Sequence, residues 1–422
     1  MMHSLAQFLD TAVSSVHGAL ALERSLQEGG FQPFGSAEPG QPVVLRRDGT
    51  VYAIRPGTRP PWEAGMVILA AHTDSPALQL KHRSASIQDG FLQVPVEVYG
   101  GPILATWLDR DLGVAGRVAT GSTVHPVAVP RPLGVIPNLA IHLNREVNEK
   151  LSYNRQDHLK VLFGPGQEMH LRWLQEVVAE QVQIEPDSIL DMELNVIPLD
   201  PASVMTTGMI CSTRIDNLAG CFSVLQAFRN AEVTEHTQVA IFYDHEEIGS
   251  TTAFGAAGIG TEQFLRRWMN RLSGGTIPLE EVLPRTVLVS NDAAHGRHPN
   301  YSDRHDSGYA PQLGGGPVIK KSAIRRYASE LPVAAWFARC CAEAGVPVQY
   351  LQNRSDIAAG STIGPAVASR LAVRSVDVGI PILGMHSVRE TAAVSDVTQM
   401  TAALKRTLEG ELIEVLDADS TR

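Results

Sequence analysis

Four short apolar, β-rich runs, each leading into histidines or carboxylates, constrain this chain more than any other feature of it. Met66–Ala71 leads into His72-Thr73-Asp74, and Val239–Tyr243 into Asp244-His245-Glu246-Glu247. Thr286–Val289 leads into Ser290-Asn291-Asp292, with His295 shortly after, and Val373–Val378 leads toward Gly384-Met385-His386. Short continuous apolar runs of this kind read as strands buried on both faces. Segments with helical spacing separate the later ones: Asn217–Phe228 after Asp216, Glu262–Leu272 and Ser329–Ala344. The alternation predicts an α/β fold, a mostly parallel sheet flanked by helices. Such sheets bind ligands outside the carboxyl ends of their strands, so four distant segments can converge on one cleft.

Other stretches read differently. Val43–Arg47 and Thr50–Ile54 flank Asp48-Gly49, a hairpin signal because Asp-Gly accepts the positive φ of a tight turn. Residues from about Lys81 to Pro198 are rich in Val, Pro and Gly, with short strand-like runs (Phe91–Tyr99, Val114–Thr120). They carry the breakers Gly100-Gly101-Pro102, Pro130-Arg131-Pro132 and Gly164-Pro165-Gly166, and one helical segment near His170–Gln183. This predicts an inserted β-rich domain over 83–198, with 1–82 and 199–422 forming the α/β domain. The polar segment Gly296–Gly316 ends in three glycines and reads as a mobile loop near a site.

Composition narrows the partners. A net charge of −10 from 35 basic and 45 acidic residues, with no Lys or Arg run, argues against nucleic acid and anionic membranes. No apolar run is long enough to span a bilayer. The spacing of Leu5, Phe8, Leu9, Val13, Val16 and Leu20 predicts one amphipathic helix ending at Gly29-Gly30 rather than a signal peptide. Cys211, Cys221, Cys340 and Cys341 form no CxxC pair and read as reduced thiols. These features predict a cytoplasmic protein.

The chemistry follows from the residue types at the strand ends. Asp216 alone reads as a helix N-cap. Several carboxylates and histidines converging on one cleft require cations, because desolvating them together is costly. Two histidines with three carboxylates suit a pair of divalent ions rather than a cysteine-rich structural zinc site. Successive side chains of an extended Glu246-Glu247 segment would point apart, letting one bind metal while the other reaches a water. Asp74, two residues beyond His72, is placed to orient the imidazole.

The segments His72-Thr73-Asp74-Ser75-Pro76, Arg214-Ile215-Asp216-Asn217, Asp244-His245-Glu246-Glu247-Ile248-Gly249-Ser250 and Gly384-Met385-His386-Ser387-Val388-Arg389-Glu390 resemble the signatures of the M18 metallopeptidases, the aspartyl aminopeptidases. Asn138–Arg145, Gly316–Lys320 and Gly360–Pro365 add to a resemblance that runs in order along nearly the whole chain. It implies a two-metal aminopeptidase fold with an inserted dimerisation domain, self-associating as dimers that build a dodecamer and acting on short peptides. It implies two divalent ions, zinc with manganese and cobalt as alternatives. His72 and Asp292 would hold one ion, Glu247 and His386 the other, and Asp216, followed by a cis peptide, would bridge them. Glu246 would be the general base. His142, His295, Lys320 and Tyr327 match substrate-pocket positions, with Lys320 facing an acidic N-terminal side chain; a broader preference stays open. His142 has two readings, one in a neighbouring subunit's site and one at its own metals. The sequence departs from the family at Ala359, where many members carry Cys.

Overall fold

Asp48 adopts φ 51° and turns Val43–Arg47 back onto Thr50–Arg55, an antiparallel hairpin closed by the Arg47–Thr50 pair. Gly49 is dictated by space as well: a Cβ there would lie 2.0 Å from an oxygen of the Asp244 carboxylate. The hairpin forms one side of a nine-stranded sheet. Its strands lie in the order Gln32–Pro33, Val43–Arg47, Thr50–Arg55, Thr237–Tyr243, Met66–His72, Thr286–Asn291, Arg374–Gly379, Val318–Lys320, Gln349–Leu351. The computed structural model describes residues 4–165 and 169–412. Gly166 of the last breaker, and residues 1–3 and 413–422 of the expected outer segments, lie outside the described residues.

The four apolar runs are the parallel centre of this sheet. Tyr243 is level with His72, Ser290 with Ala70, and Asn291 with Val378, so the segments that follow leave the sheet at the same end. Alternate residues serve two cores. Val67, Leu69 and Ala71 pack with the helices Ile215–Asn230, Leu331–Glu343 and Val394–Glu409. Met66, Ile68 and Ala70 pack with Gly260–Ser273 and Ile363–Leu371. Burial on both faces explains why these strands read as unbroken apolar runs. A smaller sheet in the same unit orders Ser203–Val204, Met209–Ser212, Glu390–Ala393, Pro381–Leu383 and Ala294–His295.

The expected first helix is two: Leu5–Thr11 and Ser15–Glu28. Ser14 takes an extended conformation before the second, with its hydroxyl 2.8 Å from Nδ1 of His17, so the apolar spacing continues across a break in the backbone. The end of the expected loop is held: the Gly314 and Gly316 N–H groups donate to the Asp396 carboxylate at 2.7 and 2.8 Å.

The chain separates into two compact units. The first comprises the described residues of Met1–Asp74, Ala202–Met385 and Glu390–Arg422; the second comprises those of Ser75–Pro201 with His386–Arg389. The second unit thus begins nearer the strand end than the expected boundary at 82/83. Ala77–Leu80 is the reason, since it pairs antiparallel with Phe91–Tyr99 and with Asp191–Pro198. The remaining strands, Ser86–Gln88, Leu112–Thr120, Thr123–Gly134 and Lys160–Pro165, are also antiparallel to their neighbours. The helix Trp173–Val182 contributes Leu174, Val177 and Val178 to this unit's own core, with Leu78, Val94, Val114, Val129 and Leu194.

Candidate metal centre

His72 is the last residue of its strand and is buried. Its Nε2 lies 3.4 Å from Oδ1 of Asp216 and 3.7 Å from Oδ1 of Asp292. Its Nδ1 lies 3.1 Å from the Asp74 carbonyl oxygen and 3.4 Å from Asp74 Oδ1. Asp74 thus lies against the Nδ1 side of the ring, and it makes a second set of contacts. Its carboxylate accepts the backbone N–H groups of both Glu246 and Glu247, at 3.0 and 3.1 Å.

Those two glutamates are not on an extended segment. His245 takes φ 69° and Glu246–Ile248 form one turn of 3₁₀ helix, so their side chains diverge by helical rotation rather than by strand alternation. The consecutive N–H groups that such a turn leaves unbonded are the ones Asp74 receives. Asp216 lies within the Ile215–Asn230 segment, but its φ −78°, ψ 109° is not helical, and the Asp216–Asn217 peptide is cis. Its N–H donates to Oε2 of Glu390 at 2.9 Å.

Among the described residues, His72, Asp216 and Glu247 form a group whose ligand atoms all lie within 4.8 Å of one another. Asp292 joins it through His72. Burial opposes a charged His72, yet the Asp216, Asp292 and Asp74 carboxylates together hold its pKa well above the usual imidazole value. Burial pushes the Glu246 carboxyl up to about 8, and the Asp292, Asp74 and Asp216 charges add to it against the pull of His72. Burial likewise lifts Glu247 well above the carboxylate range, with Asp216 next in effect. Hard oxygen donors and an imidazole, packed so closely that the carboxyls resist ionising, fit a divalent cation.

The other predicted residues fall in several places. Lys320 is fully buried, its ammonium donating to the Ala293 carbonyl at 2.8 Å, 3.7 Å from Asp292 Oδ1 and 5.4 Å from the ring centre of Tyr327, itself buried. His295 is exposed at the end of the short strand Ala294–His295. His386 belongs to the second unit, where its Nδ1 lies 3.1 Å from the Gly101 carbonyl oxygen. His142 is exposed in the turn Ile141–Leu143 of that unit. Sequence reasoning gave no role to Glu390, Asn217 or Asn291, all buried around the two aspartates. The signal available for the asparagines was adjacency: one follows Asp216 and the other precedes Asp292.

The fold has close counterparts. A solved structure of the Ape4 and Nbr1 complex superposes with a TM-score of 0.92 at 31% identity, covering 96% of this chain and 84% of that one. An M18-family aminopeptidase from Thermotoga maritima gives 0.85 at 23% identity, covering 96% and 95%. The architecture is of the α/β class, and its histidine–carboxylate group could hold a metal ion. Residues 8–407 match the family described as Aminopeptidase I zinc metalloprotease (M18), and the chain belongs to that family of aminopeptidases. It is 39% identical over 420 residues to a probable M18 family aminopeptidase 2 of Ectopseudomonas mendocina strain ymp, spanning 96% of this chain and 97% of that protein. The counterpart in Pseudomonas aeruginosa PAO1 is 40% identical over 416 residues, spanning 95% and 96%.

Proposed function

We propose that this aminopeptidase removes acidic residues from the N-termini of short peptides at a two-metal centre, with Glu246 as the general base. His72 and Asp292 would hold one ion, Glu247 and His386 the other, and Asp216 would bridge. Zinc is the ion the family description names, and manganese and cobalt suit the same donors. Held by these residues, a pair of divalent ions would supply an acidified water and polarisation of the scissile carbonyl. Glu246 takes the proton of the attacking water and returns it to the leaving amine. Asp74 acts as a positioning residue, holding His72 from behind and the Glu246-Glu247 turn by its two N–H groups.

The observation that carries this reading is the joining of Glu247 to His72 and Asp216 while its neighbour Glu246 stays in the same acidic surroundings. Glu246→Gln should bind zinc as the wild type does and lose about 10²–10⁴-fold in kcat. Near-normal turnover in that variant would remove Glu246 from the mechanism.

The acidic preference rests on Lys320, whose ammonium lies beside Asp292 with Tyr327 against it. His142 and His295 are assigned to the substrate pocket by the family resemblance, His142 either in a neighbouring subunit's site or at the metals of its own. A panel of aminoacyl substrates on Lys320→Ala tests the preference; an unchanged ratio of Asp or Glu over Leu would exclude Lys320 as the selector.

Self-association through the second unit is part of the same reading. Its exposed Leu139, Ile141, Leu143 and Leu151 suit burial against a second copy. The solved S. cerevisiae mApe1 assembly is described as a dodecamer. Four cysteines without disulfides suit a cytoplasmic setting, and no described helix is long and apolar enough to cross a membrane.

A further inference from the structure

We infer that Asn217 and Asn291 are positioning residues that clasp the backbone of Asp216 to that of Asp292 and so set the spacing of these two carboxylates for a divalent cation. The inference rests on the metal-centre reading above and deepens it by naming what holds the aspartates in register. The Nδ2 of Asn217 donates to the Asn291 carbonyl at 2.8 Å, and the Nδ2 of Asn291 donates to the Gly220 carbonyl at 3.1 Å. One bond runs from the start of the Ile215–Asn230 helix to the end of the Thr286–Asn291 strand, and the other runs back. Each asparagine is the chain neighbour of one aspartate, so the clasp acts within a single peptide unit of each carboxylate.

Those carboxylates flank one nitrogen of His72, at 3.4 and 3.7 Å. A cation site tolerates only about 0.5 Å of drift in its donors. Nothing in the sheet's own ladder supplies that tolerance to Asp216, because it lies on a helix lead-in where its own backbone has left helical geometry. Both asparagines are 1% exposed, and their amides are neutral, so the clasp fixes position without adding charge to an already crowded acidic centre.

Gly220 makes room for the clasp. A Cβ on it would lie 2.1 Å from Oδ1 of Asn217 and 2.7 Å from its Cγ. Glycine weakens a helix interior, so its place here marks a spot where the helix yields space to the asparagine amide. The position offers a way to displace Asn217 without removing it.

The test uses metal-stripped full-length protein titrated with Co²⁺, read by visible absorption and by calorimetry, with circular dichroism to verify folding. Asn217→Ala and Gly220→Ala should each weaken Co²⁺ binding about 10–100-fold and change the cobalt band intensities. Ser223→Ala, which removes a hydroxyl that donates to the Ala219 carbonyl at 2.9 Å within the same helix, should leave affinity and spectrum unchanged. Should Asn217→Ala fail to fold, Gly220→Ala decides alone, because alanine favours the helix while it displaces the asparagine. Unaltered affinity and spectrum in folded Gly220→Ala would overturn the clasp while leaving the metal centre standing. Absence of Co²⁺ uptake by the unaltered chain would overturn both.

Discussion

The two units of this molecule treat polar side chains in opposite ways. In the parallel centre of the first, Met66–His72 and Thr237–Tyr243 are buried at every position, and the imidazole and carboxylates of these segments fall at or beyond their carboxyl ends. In the antiparallel second unit, strands such as Asp191–Pro198 and Thr123–Gly134 bury some residues and expose others along their length. Polar residues there are the ordinary furnishing of a solvated face. A histidine at the end of the first kind of strand stands out; a histidine such as His142 in the second unit does not. The difference teaches where a sequence reveals a site: where burial leaves a carboxylate no bland reason to be.

This contrast can be broken or sharpened by experiment. The largest effect expected on stability is at the second unit's core. Leu194→Ala should cost about 2–5 kcal/mol in denaturant unfolding, because it empties a fully buried site in that core. A loss under about 0.5 kcal/mol would show that this core is not close-packed around Leu194.

Asp74→Ala strikes the first unit instead. It strips the acceptor from the N–H groups of Glu246 and Glu247, at about 1–3 kcal/mol for a buried donor left unpaired. It should also weaken metal binding by about 10–100-fold. Chemical denaturation and calorimetric zinc titration read the two effects separately; stability lost with metal affinity intact would confine Asp74 to the backbone.

A smaller effect concerns protons. With Glu246 raised to about 8 and Glu247 well above its usual range, the metal-free centre carries protons at neutral pH. A cation favours the ionised carboxylates and displaces the protons they hold, so zinc uptake should release protons. Affinity should then rise toward pH 8, up to about tenfold per pH unit for each proton displaced. Identical binding heats in buffers of different ionisation enthalpy would contradict this. Smallest of all, Leu143→Ser at an exposed site should change stability by no more than about 0.5 kcal/mol, yet lower the assembly mass measured by light scattering; an unchanged mass would move the contact surface elsewhere.

Much of the first unit was legible before any coordinates. The four apolar runs became the parallel centre, and the segments beyond Tyr243, His72 and Asn291 leave it at the same end. The helices Ile363–Leu371 and Val394–Glu409 were not anticipated, and the break at Ser14 was hidden because apolar spacing passes across it unchanged. The antiparallel second unit gave strands readily but not its starting point, because Ala77–Leu80 declares its allegiance only through its pairing partners.

The sequence by itself determined the family and that His72, Glu247 and Asp292 would fall at or just beyond the ends of apolar strands, because strands covered on both faces are built mainly of apolar residues. Only the tertiary structure decided how those residues are held. Asp74 receives a 3₁₀ turn that reads as extended in the sequence, Lys320 turns inward onto the Ala293 carbonyl, and Asn217 meets Asn291 across the sheet end. Each is a contact between segments far apart in the chain. Local spacing records the faces a residue can bury, whereas a hydrogen bond between distant backbones exists only once the layers have packed.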